Sequence, residues 1–334
     1  MNDIPAQAGP DRCSFENLDD FNNLWRKYRE ALPWTCPFVL PPWVNAWWKI
    51  FGQDAQILIA VVRQGEVISG IAPLMIREGT VRFLGDPEVC DYFDFVVSRE
   101  RATTFFSTLF ASLSAQGLRI FDLGPMRPDA AIQTFFGQHA PTSSMECRIH
   151  QEDVFSDLDL PHTWDEFLEA LGGKQRHELR RKLRRLGEAG EVRFRRVDDL
   201  ASLGEAIETF LRLFSMNRED KAAFMTGTMA SFFHALAVSL VEEGMLRLFF
   251  LELNDQPVAS VFCFDYQGTR YLYNNSYDRG YQGLSVGLLS KVWSLKAAID
   301  EGLCGYNFLK GGETYKRHLG GNEIPLLQCK VTLR

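Results

Sequence analysis

Two short stretches of this chain hold residues able to do chemistry. Gly283-Leu284-Ser285-Val286-Gly287 is a glycine-flanked turn between an apolar strand pattern and a long helix pattern. A helix N-terminus leaves its first N–H groups unpaired and carries the positive end of the helix dipole, so such a turn suits a phosphate. The same residues also make an ordinary helix start with Ser285 as N-cap. Lys310-Gly311-Gly312-Glu313-Thr314-Tyr315-Lys316 is a glycine turn bearing a carboxylate, a phenol and an ammonium. Glu313 projects from it and is the first candidate for a general base; Asp278, closing a tyrosine-rich strand, is the second. Either would serve near neutral pH only if burial raised its pKa. Tyr271, Tyr273 and Asn275 alternate along that strand and share one face by the two-residue period, to line an acceptor cleft or to pack as core.

A third candidate is the basic run Lys174 to Arg185, with Leu179, Leu183 and Leu186 as the apolar stripe of a helix. Arg176, Arg180 and Arg184 share another face at i, i+4 spacing. That face would grip phosphates of a donor or of RNA, or simply meet solvent.

The elements that must position these groups occur twice. Ile57–Arg63, Val67–Ile76 and Val81–Gly85 read as strands joined by glycine turns, followed by a helix over 102–117 and a strand over 118–124. Leu246–Leu253, Pro257–Tyr266 and Arg270–Ser276 repeat the plan, with a helix over 285–302 and a strand over 303–311. Each helix closes on glycine, Gly117 and Gly302. Antiparallel strands, a helix and a further strand predict an α/β (α+β) fold of two halves, each a mixed, largely antiparallel sheet flanked by helices. The first half is drawn at 1–155 and the second at 156–334. Between them Thr163 and Glu166 form a capping-box pattern, and helices are expected over 174–190, 200–217 and 228–244, with a break at Gly172-Gly173. The first half has no glycine cradle; it offers Asp91 and Asp94, which suit an amine or hydroxyl-rich acceptor.

Composition excludes several classes. A net charge of −7 argues against a nucleic-acid coat, and no DNA partner is expected. The seven cysteines show no C-x-x-C spacing and the six histidines no ligand pair, so no metal is expected. No G-x-S-x-G elbow is present. The first residues lack a secretory pattern and no apolar run is long enough to span a bilayer, so the chain reads as soluble and cytoplasmic, with no transmembrane segment.

At the residues Arg176–Leu186 (R-x-x-L-R-R-x-x-x-R-L), Tyr271–Asp278 (Y-L-Y-N-x-x-Y-D), Leu284–Gly287 (L-S-V-G) and Phe308–Lys316 (F-L-K-G-G-E-x-Y-K), the chain resembles the GNAT-like acyltransferases of the CelD/FemABX type. That family carries two GNAT-like folds in tandem. It usually has Ser-Pro-Gly where this chain has Ser285-Val286-Gly287, and aspartate where it has Asn307. The resemblance implies an N-acyltransferase moving an acyl group from acyl-CoA to an amine of a cell-envelope or polysaccharide-related acceptor, small or lipid-linked. It implies donor contacts from Gly283, Leu284, Ser285, Val286 and Gly287, helped by Arg176 and Arg180. Lys316 would hold the oxyanion or a donor phosphate, and Tyr315 would be the acid for the leaving thiolate. Two alternatives stay open: an aminoacyl-tRNA-dependent peptidoglycan crossbridge transferase, and a non-catalytic scaffold in polysaccharide (cellulose) biosynthesis.

Overall fold

The computed structural model describes residues 11–138, 145–216 and 223–334. The first ten residues, read above as lacking a leader, and the end of the helix expected over 200–217 lie outside the described residues. The chain divides into two compact units, Met1–Asp153 with Pro325–Arg334, and Val154–Ile324. The sequence expectation placed the last ten residues with the second half; they return instead to the first.

The first unit runs β1 (Asp11–Glu16), α1 (Leu18–Tyr28), α2 (Pro41–Phe51), β2 (Gln56–Gln64), β3 (Val67–Arg77), β4 (Thr80–Phe83), β5 (Val96–Val97), α3 (Ala102–Ala115), β6 (Ile120–Met126) and α4 (Ala131–Gln138), then the first part of β7 (Met145–Asp159). Its strand order is β1-β2-β3-β4-β6, with β5 beside β3. Pairing is antiparallel except between β4 and β6. The β3–β4 hairpin turns on Glu78 and Gly79, with φ of 51° and 72°. Positive φ at both central residues matches the right-handed twist of the flanking strands. Phe105, Phe106, Leu109 and Leu113 bury one face of α3 against β1–β3.

The second unit takes the end of β7, then α5 (Trp164–Ala170), α6 (Gly173–Glu188), β8 (Val192–Val197), α7 (Leu200–Ser215), α8 (Gly227–Glu242), β9 (Leu246–Leu253), β10 (Gln256–Tyr266), β11 (Thr269–Tyr277), α9 (Val286–Asp300), β12 (Gly305–Lys310) and α10 (Thr314–His318). The last strand, β13 (Asn322–Leu333), pairs with β6 of the first unit along its second half. The second unit's order is β7-β12-β11-β10-β9-β8, antiparallel except between β11 and β12. Helix α9 covers one face and α7 with α8 the other. The capping box forms: Thr163 Oγ1 accepts from Glu166 N at 3.2 Å, and Glu166 Oε2 from Thr163 N at 3.2 Å. Thus β2-β3-β4-α3-β6 and β9-β10-β11-α9-β12 repeat one plan, each ending in a strand parallel to the third. Among the described residues no helix is long and apolar enough to cross a membrane.

Candidate active site

The second unit's sheet is open at one place. Strands β11 and β12 pair only through Thr269↔Gly305, Arg270↔Tyr306 and Tyr271↔Asn307. Beyond that point each strand bulges on its other side. Tyr273 is skipped in the register with β10, and Phe308 in the register with β7. A bulge bends its strand and strengthens the local twist, so the two strands part and leave a slot. Asn307, 1% exposed, fixes the second bulge: its Oδ1 accepts from Leu309 N at 2.7 Å, holding Leu309 at a φ of 61°. An aspartate would accept the same bond, and asparagine does so without burying a charge.

Lys316 stands at the base of this slot and its role differs from the expected one. It is 1% exposed, and Nζ donates to the carbonyls of Leu309, Lys310 and Gly311 at 2.9, 2.6 and 2.9 Å. An ammonium has three donors, and three carbonyls of the bulged strand end take them. Glu313 adds a carboxylate oxygen at 2.9 Å. The group is a clamp for the turn after β12, and an oxyanion or phosphate would have to displace a carbonyl to reach it. Glu313 is tied to that clamp, with its side chain 57% exposed.

Tyr315 belongs to a different surface. Its ring meets Phe308 edge-on at 6.3 Å, and it lines a cavity of about 360 Å³ enclosed by α6, α9 and α10. Burial pushes its phenol well above the ordinary tyrosine value, and the charges of Glu313 and Cys263 push the same way. The other walls are Leu171, Leu179, Leu288 and Leu319, with Lys174, Gln175, Glu178, Lys182 and His318 as the polar groups. Helix α9 opens at the same cavity. Ser285 precedes it in the left-handed region (φ 60°, ψ 31°) and makes no side-chain cap. Its hydroxyl instead accepts from Lys182 Nζ at 3.1 Å. A cation therefore sits beside an uncapped helix start, where positive potential accumulates. The two glycines of the turn differ in purpose. A Cβ on Gly287 would lie 2.7 Å from the Tyr277 ring, whereas one on Gly283 meets nothing within 4 Å.

The cavity uses the other flank of α6 from the one expected. At 3.6 residues per turn, Gln175, Glu178 and Lys182 fall on one side of the buried Leu179, and Arg176, Arg180 and Arg184 on the other. Arg176 reaches the Glu169 carbonyl at 3.4 Å and Arg180 is exposed. The arginines follow the leucine seam as regularly as the lysines do, so spacing alone cannot choose between flanks. Glu178 is held down at about 2 by its hydrogen bond from Arg181, with Lys182 assisting. Sequence reasoning missed Lys182, Gln175 and His318. His318 follows Tyr315 by three residues on α10, a spacing that places neighbours on one helical face.

The remaining candidates are placed elsewhere. Asp278 Oδ1 accepts from Gly280 N at 2.8 Å and caps the turn Arg279–Leu284. Tyr271 is 7% exposed and stacked on Phe264 at 4.8 Å, while Tyr273 packs near Phe233 and Phe262 on the α7–α8 face. The bulge at Tyr273 breaks the alternation. Asn275 pairs with Val261, which belongs to the core under α9, so it does not share the tyrosines' face.

In the first unit Asp91 is partly buried beside Cys90. Asp94 Oδ1 accepts from Phe95 N at 2.7 Å and Ala131 N at 3.3 Å, anchoring the start of α4. Burial pushes the Asp94 carboxyl up to about 7, against those two bonds. A folded-state value above the unfolded one means stability that is full at low pH and lost as pH rises toward 7. Asp94→Asn, which keeps the acceptor oxygen, should therefore melt higher than the parent at pH 8. The difference should vanish below pH about 4; equal melting at pH 8 would contradict it.

With this geometry in view, residues 173–317 match the acetyltransferase (GNAT) domain family. The matched residues make up most of the second unit, which is similar to a GNAT acyltransferase domain. A search of curated proteins gave no match. Among solved structures, a FemX crystal structure is 12% identical with a TM-score of 0.66, covering 97% of both chains. A conserved protein of unknown function from Bacteroides thetaiotaomicron is 12% identical at a TM-score of 0.62, covering 95% of this chain and 99% of that one. The C-terminal domain of a putative lysylphosphatidylglycerol synthetase from Agrobacterium fabrum is 9% identical at 0.59, covering 94% and 92%. At these identities what is shared is the fold: a GNAT-like architecture of the FemX type over nearly the whole chain. The open parallel pair lies in the second unit with α9 running from the end of β11, and the groups around its cavity come from α6, α9 and α10.

Proposed function

We propose that the second unit moves an acyl group from a thioester donor, acyl-CoA, to an amine of a cell-envelope or polysaccharide-related acceptor. The observation that carries this reading is the uncapped start of α9 with Lys182 on Ser285, following a β11 that pairs with β12 through three residues. The slot suits an extended amide-containing arm, and the helix start with Lys182 suits its phosphates. In the transfer the amine nitrogen bonds to the acyl carbon, the C–S bond breaks and the amine loses a proton. Tyr315, whose phenol burial keeps protonated well above neutral pH, would hydrogen-bond the departing sulfur. His318 on the same cavity is available to take the amine proton. Glu178 is too weak a base for that task while Arg181 and Lys182 hold it ionised.

The reading predicts that full-length protein binds acetyl-CoA or a longer acyl-CoA in isothermal titration, and that Lys182→Ala weakens this binding about ten-fold while leaving the melting temperature within a few degrees. Absence of heat with every acyl-CoA removes CoA as donor. A second reading, an aminoacyl-tRNA donor, draws on the exposed Arg180, Arg184 and Arg185 of α6 and on neighbours of the FemX and lysylphosphatidylglycerol synthetase kind. Retention of charged tRNA on a filter at low salt, lost on replacing those arginines, would favour it.

A further inference from the structure

Lys291 is a buried cation that the reading above does not use. It lies one turn into α9 and is 7% exposed. At helical spacing its neighbours on α9 are Gly287, Leu288, Ser294 and Leu295. Burying an ammonium costs several kcal/mol before its contacts repay it. The Nζ also reaches back to the Gly287 carbonyl at 2.8 Å, into the first turn of α9, where the helix dipole disfavours a cation. Among its contacts is the Tyr315 ring: Nζ lies 4.7 Å from its centroid, over the face. A desolvated ammonium over an aromatic face is attracted by the ring's quadrupole.

We propose that Lys291 is a positioning residue for acyl transfer: its ammonium, seated on the Tyr315 ring, holds that ring in place at the cavity. The proposal rests on the assignment of Tyr315 to the leaving sulfur. Lys316 fixes the backbone of the turn that carries Tyr315, and Lys291 fixes the ring. A cation on the ring face also favours negative charge on the phenol oxygen, so the hydroxyl becomes a stronger hydrogen-bond donor.

The test uses full-length protein with 3-fluorotyrosine at position 315, and the variants Lys291→Met, which keeps volume, and Lys291→Arg, which keeps charge. Lys291→Met should move the fluorine resonance, and Lys291→Arg should leave most of it in place. With acyl-CoA, Lys291→Met should lower kcat roughly ten- to thirty-fold with KM for the donor unchanged. The loss should disappear in a Tyr315→Phe background. It should also shrink with an aryl thioester, whose leaving thiolate needs little help. A fluorine resonance unmoved by Lys291→Met, or an equal loss of kcat in the Tyr315→Phe background, overturns the proposal. If the parent transfers acyl groups from neither thioester, the acyl-transfer reading and with it the positioning role fall, while the fluorine spectrum still decides whether Lys291 holds the ring.

Discussion

Replacing Lys316 by methionine should lower the thermal midpoint of the second unit by roughly 10 °C. The side chain is enclosed and its ammonium is the shared partner of three carbonyls. Methionine fills the volume but leaves those acceptors without a donor, in a strand end that already departs from regular pairing at Phe308. Stranding buried partners of a charge costs about 3–5 kcal/mol. Lys316→Arg should not rescue it, because a planar guanidinium cannot aim three donors at carbonyls converging on one point. Unfolding followed by circular dichroism checks this, and a Lys316→Met midpoint equal to the parent's would show that the clamp is dispensable. The expectation changes how activity data on this position are read. A dead Lys316 variant would have been taken as a lost oxyanion ligand; here it first reports a loosened turn beneath Tyr315, so its activity has meaning only where the fold is shown intact.

That reassignment marks where the sequence stops being informative. Local chemistry was legible. Glu78-Gly79, Asn254-Asp255 and Gln267-Gly268 announce hairpins, and all six residues have positive φ. Thr163 with Glu166 announced a helix start, and the repeated strand–helix–strand order announced a duplicated fold. Illegible features depend on one extra residue or on a distant partner. The bulge at Tyr273 reverses the faces expected for Asn275, and no residue type in Tyr-Leu-Tyr-Asn-Asn signals it. The two flanks of α6 carry cations at equal spacing, and only the packing of α6 against the start of α9 decides that Lys182, rather than Arg176 or Arg180, meets Ser285. The C-terminal strand pairs with β6, two hundred residues earlier in the chain, a contact that no local pattern encodes. Lys316 looked like a surface or catalytic lysine because burial of a charge is set by the carbonyls around it.

Tyr315→Phe should lower kcat for acyl transfer about 10²- to 10³-fold and leave donor binding and thermal midpoint nearly unchanged. The ring's contacts with Phe308 and Lys291 are made through carbon, so phenylalanine preserves them. What disappears is the hydroxyl at a cavity that also receives Lys182, His318 and the first turn of α9. Burial raises the phenol above its ordinary value and favours its protonated form. Its contribution is a hydrogen bond that strengthens as charge builds on sulfur, an interaction made in the transition state and not with the bound donor. Such a group lowers kcat and kcat/KM together when removed. Steady-state kinetics over a donor series distinguishes the alternatives: a Tyr315→Phe enzyme with unchanged kcat would make Tyr315 a wall of the cavity, and one with raised KM alone would make it a donor contact. A kcat loss that shrinks as the leaving thiol becomes more acidic is the outcome that ties the phenol to the breaking C–S bond.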